Sequence, residues 1–174
     1  MIEYGTLGKI VSPKIAILST ESINLILCRM SKALIDETDS ILIANQQDLV
    51  IAKEMHLSPA LTERLTLTFD KIIVMSKELI EVCELPDPIG DVLESFLSPD
   101  GLSILKVRVT IGLLMMIYES HPNVTADAAA LALKSGNAII LKCGKNPFIP
   151  TRRFQSSSFR PGAKRGFLRT PFSL

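Results

Sequence analysis

The sequence lacks the residue clusters that metal sites need. Its three cysteines, Cys28, Cys83 and Cys143, are far apart and form no CxxC pair. The two histidines, His56 and His121, have no second candidate ligand near them in the sequence. Zinc sites group such side chains at short spacings, so the sequence predicts no metal site.

A secretion signal and a long apolar run are also missing. Glu3, Lys9, Pro13 and Lys14 interrupt the first residues, where a signal peptide would be apolar. The longest clean apolar stretch, IGLLMMIY at 111–118, is too short to span a bilayer. Together with the odd number of cysteines, these absences predict a cytoplasmic protein in a reducing environment, with no membrane partner.

Acidic residues are absent from the last 29 positions. Residues 1–145 hold all 18 acidic residues and 13 basic ones, whereas residues 146–174 hold six basic residues and five of the seven phenylalanines. A basic segment with interleaved phenylalanines can bind nucleic acid, and it can equally have an origin different from the rest of the chain. Composition alone leaves both interpretations open.

Helical patterns dominate the first 85 residues. Apolar residues recur at helical spacing between residues 20 and 56, with Thr20 and Asp39 as candidate N-caps of two helices. Pro59 suits the first turn of the next helix, and a further helix is expected from about Thr68 to Cys83.

The pattern changes to strands after residues 85–88, which read Leu-Pro-Asp-Pro. DVLESFL and LSILKVRVTI predict two strands joined by a turn at residues 98–101. Alternation of apolar and charged residues in LKVRV predicts that the second strand is half exposed. GLLMMIY predicts a buried parallel strand with Met115 and Met116 in the core.

A helix and one more strand follow. Asn123 or Thr125 is expected to cap a helix that runs to about Lys134, with Gly136 in a left-handed conformation after it. AIILK at 138–142 predicts the next buried strand. Strand, helix and strand within about 30 residues predict a βαβ unit.

Ligands of such open sheets bind at the carboxyl ends of the strands, which here are residues 118–123 and 142–145. Backbone amides, Asn123 and the lysines Lys142 and Lys145 predict a crevice for an anionic ligand, such as the phosphate or ribose of a dinucleotide. The glycine-rich GxGxxG fingerprint is absent. A simple helix cap at Asn123 and solvated charges at the lysines are the alternatives.

Within this region, IYESHPNVTADAAALALKSGNAIILKCGK resembles the signature of gamma-glutamyl phosphate reductases, a branch of the aldehyde dehydrogenase superfamily. Upstream, ANQQD fits the family pattern ANxxD, and LSPALTERLTLT fits LSxALxxRLxLT. The resemblance runs from about residue 5 to residue 145. It implies an α/β fold: N-terminal helices plus a partial Rossmann-like parallel sheet, forming a partial NADP-binding domain over residues 1–145. An unstructured basic tail is expected over residues 146–174.

The resemblance also implies an activity. Gamma-glutamyl phosphate reductases use NADPH to reduce gamma-glutamyl phosphate to glutamate 5-semialdehyde in proline biosynthesis. A cysteine thiolate displaces phosphate from the substrate, and hydride transfer then breaks down the thioester. The implied cofactor is therefore NADPH, and the implied partner is this small-molecule substrate.

Site residues follow from the same resemblance. Asn123 matches the asparagine whose amide holds the developing oxyanion. Lys142 matches the lysine that contacts the adenosine ribose, and Tyr118 and Glu119 would line the crevice mainly through their backbone. The cofactor-binding positions implied in this way are Tyr118, Glu119, Lys142, Gly144 and Lys145.

Four positions depart from the family pattern. Thr110 replaces a proline, Met115 and Cys143 replace glycines, and His121 replaces an arginine. The cysteine adds a side chain where close backbone approach is expected, and the histidine weakens a contact to an anion at neutral pH.

After Lys145 the resemblance stops. One choice of codons for Asn-Pro-Phe-Ile-Pro-Thr, read in a shifted frame, spells Glu-Ser-Ile-His-Thr-Asn, which resembles the family's continuation. We therefore expect a lost base in a lysine codon, which would remove the catalytic-cysteine domain and the oligomerisation region. The chain alone would then be inactive, with exposed apolar strand surfaces. The alternative is a non-catalytic fragment whose basic tail binds nucleic acid or a partner protein, and nucleic acid is the less favoured partner.

Overall fold

The structure, a computed structural model, describes residues 2–118 and 121–143. Those residues form six helices and four strands. The helices are α1 Ile2–Ala16, α2 Thr20–Asp36, α3 Thr38–Glu54, α4 Pro59–Leu65, α5 Phe69–Glu84 and α6 Pro122–Lys134. The strands are β1 Val92–Leu97, β2 Ser103–Val107, β3 Leu113–Tyr118 and β4 Ala138–Cys143.

The core lies where α2, α5 and α6 pack together. Each helix contributes an apolar stripe at helical spacing, and Leu27, Ile72 and Ala130 within these stripes are fully buried. Alanines fill the buried face of α6, so that this helix can approach its neighbours closely. Burial of these side chains supplies most of the apolar stabilisation of the helical layer.

Helix starts differ by one or two residues from the sequence predictions. The N-cap of α2 is Ser19, whose hydroxyl accepts a bond from the Ser22 amide, and Thr20 is the first helical residue. The N-cap of α3 is Glu37 instead of Asp39, because α2 and α3 share that single residue between them. The predictions for α4 and α5 are confirmed, with Pro59 in the first turn and Thr68 as N-cap.

The N-terminal helix α1 was not predicted. It spans Ile2–Ala16 with Pro13 inside it, and it packs against β3 and β4. A Cβ atom on Gly8 would lie 2.6 Å from a methyl carbon of Leu113, so a larger residue there would require the Leu113 side chain to shift. Within residues 2–118 and 121–143, no single helix is long and apolar enough to cross a membrane; α1 and α2 could do so only as a pair with a 120° bend.

Strands β1 and β2 form an antiparallel hairpin, as predicted, with Gly101 in the turn at a φ of 86°. The prediction that β2 is half exposed is wrong, because every residue of both strands is exposed. The two strands pair with each other, and neither hairpin face is covered within the described part of the chain. Alternation along the strand therefore separates apolar from charged residues without burying either face.

Strands β3 and β4 are parallel neighbours joined by α6, which confirms the βαβ unit. The turn between α6 and β4 fixes the register in which β4 pairs with β3. Gly136 has a φ of 67°, and a Cβ there would lie 2.7 Å from Thr110 Cγ2. The buried Asn137 accepts a bond from the Gly112 amide at 2.8 Å, and Ala138 donates to the Gly112 carbonyl at 2.8 Å.

Strand β3 is less buried than predicted. Met115, Met116 and Ile117 are exposed, so the prediction that both methionines lie in the core is wrong. A buried parallel strand needs a neighbour on each edge and a layer on each face. Within the described residues β3 pairs with β4 alone, and α1 and α6 are the main elements packed on this pair. The expectation of exposed apolar strand surfaces is confirmed for β1, β2 and β3.

Candidate functional site

The carboxyl ends of β3 and β4 lie side by side, as the sequence predicted. Ile117 pairs with Lys142, and Tyr118 pairs with Cys143. The Lys142 side chain is exposed at this edge of the sheet. Glu119, Gly144 and Lys145, also predicted as site residues, lie outside the described residues.

Tyr118 turns its side chain into the protein. Its hydroxyl is 2.6 Å from the Thr125 hydroxyl, and both side chains are buried. The ring is therefore held against the first turns of α6, and the backbone of Tyr118 is the part that lies at the end of the strand. This placement agrees with an expected contact through the backbone, while the contact itself stays a prediction.

Asn123 lies in the first turn of α6, one residue after Pro122, and its side chain is exposed. The expectation that Asn123 or Thr125 caps the helix is wrong, because the N-cap position is His121. Pro122 favours the first helical position, where its missing N–H is not needed, and this sets the helix start before Asn123. The Asn123 amide is thus available for a role other than capping.

A cavity of about 650 Å³ lies beside Asn123. Its walls come from α4, the α4–α5 loop, α5 and the first turn of α6. The lining residues are Ala60, Glu63, Arg64, Thr66, Leu67, Asp70, Lys71, Val74, Met75, Glu78, His121, Pro122 and Asn123. This volume fits a small organic molecule, and the walls combine apolar side chains with groups of both charges.

Asn45, in the middle of α3, positions the loop that forms one cavity wall. This buried side chain donates to the Leu65 carbonyl at 2.8 Å and accepts from the Leu67 amide at 2.8 Å. Lys71 supports the same loop by donating to the Thr66 carbonyl at 2.6 Å. Sequence reasoning did not assign Asn45 a role, although it is the asparagine of ANQQD.

Two carboxyl groups meet where α5 and α6 pack. Burial raises the pKa of Asp127 to about 6, and repulsion from Glu78 adds to the rise. Within the described part of the chain, Glu78 Oε2 is buried without a hydrogen-bond partner, and Glu78 also lines the cavity. A buried carboxylate oxygen on a cavity wall favours a cationic group as its partner.

Metal ligands do not cluster in the described residues: no group of three or more His, Cys, Asp or Glu side chains there could hold an ion. The expectation of no metal site stays a prediction.

The helical layer and the β3–α6–β4 unit define an α/β protein with part of a Rossmann-like parallel sheet. No protein-family model matches the chain. Curated relatives do: the chain is 48% identical over 139 residues to gamma-glutamyl phosphate reductase of Caldanaerobacter subterraneus subsp. tengcongensis, and 49% identical over 141 residues to that of Carboxydothermus hydrogenoformans. These matches cover 80% and 81% of this chain, and 34% of each relative.

Solved structures of gamma-glutamyl phosphate reductases also match this chain. The crystal structure of gamma-glutamyl phosphate reductase from Thermotoga maritima matches 90% of this chain with a TM-score of 0.84 and 34% identity. The one from Saccharomyces cerevisiae matches 88% with a TM-score of 0.81 and 36% identity. The matches cover 38% and 39% of those chains.

These comparisons confirm the resemblance and the fold class predicted from the sequence. The chain is homologous to gamma-glutamyl phosphate reductases, which are oxidoreductases, and it spans about a third of the length of the curated relatives that it matches.

Proposed function

We propose that this chain carries the cofactor-binding part of a gamma-glutamyl phosphate reductase site, together with one wall of the substrate pocket. The proposed reaction of the site is the NADPH-dependent reduction of gamma-glutamyl phosphate to glutamate 5-semialdehyde and phosphate, in proline biosynthesis. A cytoplasmic location is part of the same proposal.

One observation carries the proposal. The β3–α6–β4 unit brings the carboxyl ends of two parallel strands to the start of α6, and Asn123 at that start also borders the 650 Å³ cavity. Cofactors of open α/β sheets bind at such strand ends. This arrangement supports a cofactor region at the strand ends and a substrate region in the cavity, with Asn123 bordering the cavity.

The residues at the strand ends fit a dinucleotide. Lys142 is exposed beside the end of β3, where an ammonium group can donate to ribose hydroxyls or to a phosphate. The Tyr118 side chain is turned inward onto Thr125, so it does not fill the strand end. When bound, NADPH supplies the hydride. In this proposal Lys142 holds the cofactor, with Tyr118, Glu119, Gly144 and Lys145 as the further contact positions.

Asn123 has the proposed task of stabilising negative charge on the substrate carbonyl oxygen. Its amide can donate a hydrogen bond, and the amino-terminal end of α6 adds the positive end of a helix dipole. An amide that is exposed at a cavity rim can reach a substrate atom without leaving the helix.

The charged cavity walls suit the amino-acid end of the substrate. Glu78 presents a carboxylate that would pair with the substrate ammonium group. Arg64, exposed on α4, would pair with the substrate carboxylate. Both residues lie on helices, whereas the proposed cofactor contacts lie at the ends of the strands. Substrate and cofactor would therefore bind to different elements.

Titration of the 174-residue chain with NADPH, followed by fluorescence, tests the cofactor part. We expect saturable binding and a loss of roughly tenfold in affinity, about 1.4 kcal/mol, for Lys142→Ala. Lys53→Ala, at an exposed position in the last turn of α3, is the matched control and should leave the affinity unchanged. Equal effects of the two substitutions, or no NADPH binding at all, would contradict the proposal.

Amide NMR shifts on adding L-glutamate and glutarate test the substrate part. Glutarate lacks the ammonium group, so we expect glutamate alone to shift resonances of α5 near Glu78, and Glu78→Gln to remove that difference. Equal shifts with both ligands in the unsubstituted chain would refute the role of Glu78 and leave the cofactor part untouched.

The change of reading frame after Lys145 also stays a proposal, since it concerns residues outside the described part. Sequencing the gene across codon 145 tests it. Intact family sequence in the other frame supports the change, and unrelated DNA there refutes it.

A further inference from the structure

Two cysteines that are distant in the sequence meet between α2 and α5. Cys28 Sγ and Cys83 Sγ are 3.8 Å apart, although the two residues are 55 positions apart in the sequence. Cys28 is exposed on α2, and Cys83 is half-buried in the last turn of α5. Neither cysteine belongs to the proposed cofactor or substrate site.

A disulfide needs only a small movement from this geometry. The sulfur atoms of a disulfide are about 2.05 Å apart, so the two thiols would have to approach by about 1.8 Å. Cys83 is one residue from the end of α5, where a helix changes its conformation more readily than in its interior. A rotation of either side chain together with a slight shift of this last turn would supply the movement.

The two thiols differ in reactivity. Burial raises the pKa of Cys83 to about 11, and the hydrogen bond with Cys28 adds to the rise. Cys83 is therefore a poor first nucleophile at neutral pH. Cys28 is exposed, so a dissolved oxidant can reach its sulfur directly.

We propose that Cys28 and Cys83 are a reversible oxidation site that joins α2 to α5 by a disulfide. The oxidant is a small-molecule disulfide such as oxidised glutathione. The Cys28 thiolate attacks one of its sulfurs and releases one thiolate, which leaves a mixed disulfide on Cys28. Cys83 then loses its proton, attacks Cys28 Sγ and releases the second thiolate. Two protein thiols are oxidised, and the small disulfide is reduced to two thiols.

Oxidised glutathione added to the 174-residue chain tests the proposal. Free thiols are then blocked with N-ethylmaleimide, and peptides are mapped by mass spectrometry without reduction. We expect a linked peptide pair containing Cys28 and Cys83, with the unalkylated protein about 2 Da lighter than the reduced chain. Dithiothreitol should reverse the change. The oxidised chain should melt on the order of 10 °C higher, because the link closes a long loop in the unfolded chain.

Two serine variants provide matched controls. Cys28→Ser should abolish the link, and its fold should survive because the position is exposed. Cys143→Ser should still form the link. The proposal fails if Cys28 and Cys83 are both alkylated after oxidation, if the chain stops at a mixed disulfide, or if Cys143 is the partner in the linked peptides.

Discussion

Replacing Lys134 with methionine should destabilise the chain strongly. Lys134 is 4% exposed, and its ammonium group donates to Asn24 Oδ1 at 2.7 Å and to the Cys83 carbonyl at 2.8 Å. These bonds tie the end of α6 to α2 and to the end of α5. Methionine keeps an unbranched side chain, shorter by the terminal nitrogen atom, and removes the donor of both bonds.

The magnitude follows from two opposing contributions. Each hydrogen bond from a charged donor contributes about 1.5–3 kcal/mol, and both acceptors would lose this partner in the variant. The variant avoids the free-energy cost of burying a charged ammonium group, and this gain offsets part of the loss. We expect a net decrease of about 2–4 kcal/mol in the free energy of unfolding, and a melting temperature lower by roughly 5–15 °C.

Urea unfolding followed by far-UV circular dichroism measures the change, with an unchanged slope against urea concentration. The matched control is Lys32→Met on α2. Lys32 pairs with Asp36 at 3.1 Å, but its side chain is 75% exposed, so we expect a loss of no more than about 0.5 kcal/mol. If the two methionine variants lose the same stability, the reasoning about the buried ammonium group is refuted.

Three further predictions concern residues near the candidate site. Tyr118→Phe should cost about 1 kcal/mol of stability, because the buried Thr125 hydroxyl loses its partner, with NADPH affinity unchanged in a fluorescence titration. Asn45→Ala should cost about 2–3 kcal/mol in urea unfolding, since two loop backbone groups lose their partner; a loss below about 0.5 kcal/mol would contradict it. The raised pKa of Asp127, about 6, means that the folded chain retains a proton between about pH 4 and pH 6 that the unfolded chain releases. Stability is therefore lost as pH rises through that range. Asp127→Asn should gain roughly 1–2 kcal/mol at about pH 7.5, after allowance for solvent screening, and nothing at about pH 4. An equal gain at both pH values would contradict the charge explanation.

Sequence patterns correctly predicted those element boundaries that depend on the conformational preferences of single residues. Proline in the first turn of α4 and Gly136 after α6 mark element boundaries through backbone geometry alone, and the structure confirms both. Helix α1 escaped prediction because Gly5, Gly8 and Pro13 lower its helix propensity, while its contacts with β3 and β4 stabilise it.

Burial and the cavity could not be read from local patterns. Met115 and Met116 belong to an apolar run, but their exposure depends on which elements cover β3. The cavity joins residues 60–78 to residues 121–123, which only the tertiary fold brings together. Asn45 reaches its loop across 20 residues, so its role in the cavity wall follows from the packing of α3 and not from its neighbours in the sequence.

The order in which the chain folds follows from the span of its contacts. The bonds between Ser31 and Ser76 join α2 to α5 across 45 residues, whereas the bond from Lys134 to Asn24 spans 110. Lys134 also bonds the Cys83 carbonyl across 51 residues, so its full set of contacts requires α2 and α5 to lie side by side already. Because closing the longer loop also costs more entropy, we expect α2 and α5 to pair first and α6 to dock afterwards. A chain halted between these steps would show nearly full helical circular dichroism and still bind no NADPH. Cofactor binding would thus report the last step of folding, which the helical signal does not detect.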